Sequence, residues 1–135
     1  MKKGFIKVAG FFNLLTAFIH LILGQIDLAN PMLRSDLNVQ QKGEWIAVWH
    51  VVTVLLFLTS YILIKEGYNK QPSDSLGQYK VIGLFYILIS IPFIVTSLIY
   101  SIFAPQWILL LPIGILLIYA VQRNENSAFT EVREF

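Results

Sequence analysis

The chain holds two histidines, His20 and His50, and each lies inside a long apolar run. Imidazole titrates near neutral pH, ligates metals and haem iron, and in its neutral form both donates and accepts a hydrogen bond. Around the first, the stretch GFFNLLTAFIHLILG places Gly10, Asn13, Ala17, His20 and Gly24 at steps of three and four. That spacing gathers them on one face of a helix. The other faces carry Phe, Leu and Ile. A helix that is apolar all round except for one small and polar stripe reads as a membrane helix with the stripe turned inward. Around the second, WIAVWHVVTVLLFLTSYILI carries its own stripe of His50, Thr53, Phe57 and Ser60.

His20 lies about four residues before the end of its run, and His50 about five after the start of the next. At a rise of about 1.5 Å per residue the two stand at nearly equal depth. Gln25, Asp27 and Glu44 follow just beyond them, and Asn13 and Thr16 lie deeper. Polar and ionisable groups are costly inside a membrane and point to a functional site by default.

Several arrangements would use these residues. In the first, Asn13, Thr16, His20, Gln25, Trp49, His50 and Thr53 line an outward-facing polar pocket between the first two helices, which binds or passes a small solute or ion. Gly10, Ala17 and Gly24 leave room for it. In the second, His20 and His50 are the axial ligands of one b-type haem. In the third, His20, His50, Asp27 and Glu44 hold a divalent metal, since imidazole and carboxylate suit zinc, iron or nickel. The plainest arrangement gives the chain no site of its own, only polar side chains bonded across a helix pair in a structural or accessory subunit. The sequence leans away from an enzyme: GxSxG, HExxH, a P-loop and paired intramembrane aspartates are all missing. The leading arrangement carries no cofactor.

The helices that position these groups follow from composition. Of 135 residues, 56% are hydrophobic and only 13% charged. That is too little charge to cover a soluble surface. The reading is an all-α integral membrane protein of one domain, with four spans at about 4–24, 45–64, 80–103 and 107–121 in an antiparallel bundle, and a polar tail over 122–135. The first run lacks a small-x-small cleavage pattern and reads as a retained span, not a signal peptide. A polar loop covers 25–44, with Asn30-Pro31 as a helix start. A hydrophilic connection covers 65–79. Pro92 should kink the third span, and Ser90 or Thr96 is expected to satisfy the backbone it frees. With no cysteine, disulfides and thiolate metal sites are excluded.

Orientation follows from the basic residues. Lys2, Lys3, Lys7, Lys65, Lys70, Lys80, Arg123 and Arg133 fall on one side, against Arg34 and Lys42 on the other. Both termini are therefore expected in the cytoplasm, most simply across a bacterial inner membrane. Trp45, Trp49 and Trp107 then sit near the outer interface. The basic residues flank membrane spans, so nucleic acid is not implied. The expected partners are the lipid bilayer, a small molecule or ion, and a second copy of the chain.

Overall fold

Long runs of Phe, Ile, Leu and Val without charge satisfy their backbone groups internally only as helices. The computed structural model describes residues 3–69 and 76–133, with side chains as far as 124. They form four helices: α1 (Gly4–Leu33), α2 (Val39–Tyr68), α3 (Leu76–Tyr100) and α4 (Gln106–Arg133). There is no strand among the described residues. All four are long and apolar enough to cross a membrane, α4 over Gln106–Asn124. Lys2, Lys70 and Ser73 lie outside the described residues, as does 70–75 of the connection expected over 65–79.

The helix boundaries differ from the hydropathy reading at several ends. α1 does not stop at Gly24. One turn widens into a π-helix over Gln25–Ala29, and Asn30–Leu33 resumes the α-helix. In the wide turn the Asn30 amide donates to the Gln25 carbonyl. The Gln25 Nε2 also donates to Asn30 Oδ1 at 3.0 Å. Pro31 lacks an N–H, but it follows a turn that has already left the regular ladder, so it continues the helix instead of starting one. The connection shrinks to 34–38. α2 then starts at Val39, ahead of Trp45, because Asn38 caps it. The Gln41 amide donates to Asn38 Oδ1 at 2.9 Å, and the Asn38 amide donates to Gln41 Oε1 at 3.1 Å. This reciprocal pair satisfies donors that would otherwise be orphaned at the helix start.

α3 carries Pro92 in its interior. Ser90 donates to the Tyr86 carbonyl at 2.7 Å, not to that of Leu88, whose helical donor Pro92 removes. The helix ends at Ser101, which takes a left-handed φ of 51°. The Ala104 amide then donates to Ser97 Oγ at 3.2 Å and closes the turn into α4. α4 does not end at 121: it runs to Arg133, so the expected tail begins as helix.

α1 packs on α2, α3 packs on α4, and α1 also meets α4. Glycines allow the close approaches. A Cβ on Gly114 would lie 2.8 Å from the Gly83 carbonyl oxygen, and one on Gly83 would lie 3.1 Å from that of Gly114. Along α1 and α2 the partners run in opposite order: Lys7 meets Gly67, Gly10 meets Ile64 and Leu63, and Gly24 meets Trp49. Phe5 packs edge-on against Tyr119 with centroids 5.2 Å apart. Farther along, Phe12 lies by Trp107. The start of α4 therefore points toward the end of the bundle that carries the 34–38 connection, hereafter the turn end. The buried core includes Ile6, Ala9, Leu63, Tyr79, Ile113 and Leu117. Phe11, Leu15, Val51, Leu58, Leu88 and Leu98 stay exposed. A surface so apolar suits lipid, where burying such side chains brings little gain.

Candidate functional site

Asn13 is 0% exposed. Its Nδ2 donates to Thr59 Oγ1 at 2.8 Å and to the Leu56 carbonyl at 3.2 Å. The Tyr86 hydroxyl donates to Asn13 Oδ1 at 2.7 Å. Thr59 Oγ1 and the Tyr86 oxygen are themselves 2.7 Å apart. The three side chains thus close a ring that ties α1, α2 and α3 together. Burying an amide without partners costs several kcal/mol, and here both donors and the acceptor of Asn13 are used. The other hydroxyls near this level serve their own helices. Thr16 donates to the Phe12 carbonyl at 2.9 Å, Thr53 to that of Trp49 at 3.1 Å, and Ser60 to that of Leu56 at 2.6 Å.

Toward the turn end the arrangement is different. The His20 ring stacks on Trp49 with centroids 4.1 Å apart and planes 18° from parallel. Its Nε2 lies 3.3 Å from the Trp49 carbonyl oxygen. A carbonyl can only accept, so Nε2 is the donor in this contact, and in the neutral ring Nδ1 keeps an acceptor lone pair. The far edge of the indole lies over Gly24, where a Cβ would fall 2.7 Å from it. Trp49 is 9% exposed. Its Nε1 is buried and finds no hydrogen-bond partner among the described residues. The same holds for Gln106 Oε1 at the start of α4.

The structure separates the residues that the sequence grouped. Asn13, Thr16, Trp49 and Thr53 are buried, and His20 and Gln25 are half-buried. His50 is exposed. The buried stripe of α2 runs through Trp49, Thr53, Leu56, Ser60 and Leu63. His50 comes one residue after Trp49, so it lies about 100° around the helix from that stripe. The expectation that both histidines face inward is corrected by this: Trp49 takes the inward place and His50 does not. Asp27 and Glu44 are exposed too, and Glu44 accepts from Gln40 at 3.0 Å. No three of His20, His50, Asp27 and Glu44 come together as a group able to hold a metal ion. The haem arrangement fares no better: His20 Nε2 is engaged with Trp49, and His50 is on the exposed side of α2.

Two members of the buried ring escaped the sequence reading. Thr59 lies one position from the stripe residue Ser60. Tyr86 steps by three and four with Gly83 and Ser90 along α3, a spacing that does not reveal its partner on α1. A groove of about 490 Å³ lies between α1 and α4, lined by apolar side chains that include Phe12, Trp107, Leu111 and Pro112. It is not the polar pocket expected between α1 and α2. No protein-family model, curated protein or solved structure matches this chain, so its own residues carry any functional reading.

Proposed function

We propose that the protein crosses a bilayer, most simply a bacterial inner membrane, as an antiparallel bundle of four helices. Both termini lie on the cytoplasmic side and the 34–38 connection lies outside. At the outer end, between α1 and α2, a polar site around His20 and Trp49 binds a small solute. The end opposite the turn end supports this orientation. Lys7 Nζ stands 4.1 Å from the Tyr68 ring centroid, and the Arg123 guanidinium stands 5.7 Å from that of Phe5. Lys3 Nζ donates to the Asn69 carbonyl. Basic side chains lying over aromatic rings suit the cytoplasmic interface.

The observation that carries the site is Trp49 Nε1. Nearly all buried N–H groups in proteins have a partner, so a buried one without any among the described residues asks for a bound water or ligand. His20 supplies an acceptor beside the same ring. Beneath them the Asn13–Thr59–Tyr86 ring is fully bonded, which favours binding from one side over passage through the bundle.

Thiol chemistry tests this cleanly, because the chain has no cysteine of its own. His20→Cys in intact cells should react with a small impermeant thiosulfonate added outside. Asn13→Cys should stay silent. An unreactive His20→Cys, in protein that still folds, would remove the proposed site.

A further inference from the structure

The groove along the seam of α1 and α4 is walled by Val8 and Phe12 on one side and by Trp107, Leu111, Pro112 and Leu116 on the other, with almost no polar surface. All six residues lie on stretches long and apolar enough to cross a membrane. Val8 and Phe12 are exposed, as are Ile108 and Ile115 on the α4 side, so the groove opens outward from the bundle and not into its core. From Trp107 to Leu116 it follows α4 for about 13 Å, at about 1.5 Å per residue. A volume of about 490 Å³ spread over that length leaves it narrower than the roughly 10–12 Å of a helix with its side chains. A second copy of the chain could enter it only with single side chains, whereas an extended hydrocarbon chain lies in it lengthwise.

The seam continues toward the end opposite the turn end. One turn beyond the groove, Phe5 packs edge-on against Tyr119. One turn further, the Arg123 guanidinium stands 5.7 Å from the Phe5 ring centroid and 6.0 Å from that of Tyr119, and its Nη1 donates to the Tyr119 hydroxyl at 3.2 Å. An apolar groove thus leads to a cation on the same face of α4. The charge of that end has the same sign: Lys3, Lys7, Lys65, Lys80 and Arg123 stand there against Glu66 among the described side chains.

We propose that the groove and Arg123 form one site for an anionic phospholipid of the leaflet at that end. Arg123 lies about 10 Å along α4 from Leu116, and the chains of one leaflet reach about 15 Å, half the hydrocarbon thickness. With its phosphate on the guanidinium, which offers five N–H donors, the lipid lays one chain over Tyr119 and into the groove toward Pro112. The excess of positive charge favours a headgroup without an ammonium of its own. The inference rests on the bilayer-spanning arrangement proposed above and is independent of the His20 site.

The test is native mass spectrometry of the full chain in a non-ionic detergent, with equal amounts of phosphatidylglycerol and phosphatidylcholine bearing the same chains. Phosphatidylglycerol should stay bound about fivefold more than phosphatidylcholine, the factor that one basic residue gives at an anionic surface. Arg123→Gln should bring the two lipids level. Val8→Trp and, separately, Ile115→Trp fill the groove from exposed positions and should lower the binding of both lipids. Val51→Trp, on the exposed side of α2, should leave binding unchanged. Equal retention of the two lipids by the unaltered chain would overturn the proposal, as would groove variants that bind lipid as well as that chain does. A dimer that the groove variants dissociate, with no lipid retained, would give the groove to a second copy and overturn it too. A silent His20→Cys in the thiol experiment leaves these outcomes unchanged, so the two sites fail separately.

Discussion

Trp49 fills the space left by the missing side chain of Gly24: the indole edge comes so near that a Cβ on Gly24 would lie 2.7 Å from it. The contact also sets the plane on which His20 stacks. Gly24→Ala must therefore displace the indole, at a cost of about 1–3 kcal/mol for overpacking. Trp49→Phe removes the crowded edge and leaves a gap instead. In the double variant the new methyl enters that gap. Unfolding in detergent should give a double-mutant loss smaller than the sum of the single losses, with a coupling of at least about 0.5 kcal/mol. Simple additivity would mean that the indole does not lie over Gly24.

Tyr86→Phe removes one oxygen and leaves Asn13 Oδ1 without its donor in a fully buried place. Hydrogen bonds between membrane helices are worth about 1–2 kcal/mol at most, and the orphaned acceptor adds to the loss. The variant should unfold at lower temperature by that order. Tyr61→Phe is the comparison, since Tyr61 is exposed; it should shift stability by less than about 0.5 kcal/mol. Equal stability of the two variants would refute the ring.

The approach of α3 to α4 depends on Gly83 and Gly114. A methyl on Gly114 would meet Ile87 Cγ1 at 2.7 Å and the Gly83 carbonyl oxygen at 2.8 Å. A backbone oxygen cannot swing aside as a side chain can. Gly114→Ala should push the helices apart and lower the melting temperature by several degrees. Gly43→Ala meets nothing within 4 Å and should raise stability by up to about 1 kcal/mol through helix propensity alone. The opposite signs of these two changes are the expected result of thermal unfolding.

Orientation is tested by labelling. Ser35 is exposed in the connection between α1 and α2. Ser35→Cys should react with an impermeant maleimide in whole cells, and Ser73→Cys only after lysis. The reverse pattern would invert the proposed topology.

The number and approximate place of the helices were legible because charge-free apolar runs leave the backbone no other choice. Their ends were less legible. Hydropathy marks Trp45, whereas the Asn38 and Gln41 pair that starts α2 lies in the polar stretch before it. The continuation of α1 past Pro31 was not visible, because it needs a widened turn that nothing in composition announces. On the stripes, a spacing of three or four leaves the first residue of a face uncertain by one position. That single step exchanged Trp49 for His50. Asn13 was identified as inward from its own helix, whereas its partners required the register between helices, which periodicity within one helix does not contain.

The division of Asn13's bonds has a consequence for how such a chain is made. Both amide hydrogens go to α2, to Thr59 and the Leu56 carbonyl, and only the amide oxygen goes to α3. If the spans enter the bilayer in the order of synthesis, the first two can shelter the donors of that amide between themselves before the third emerges. One lone pair is then left waiting, and the hydroxyl of Tyr86 answers it. Biogenesis would be sequential at this residue: the first hairpin arrives with the amide donors already bonded, and the waiting amide oxygen guides the docking of the second.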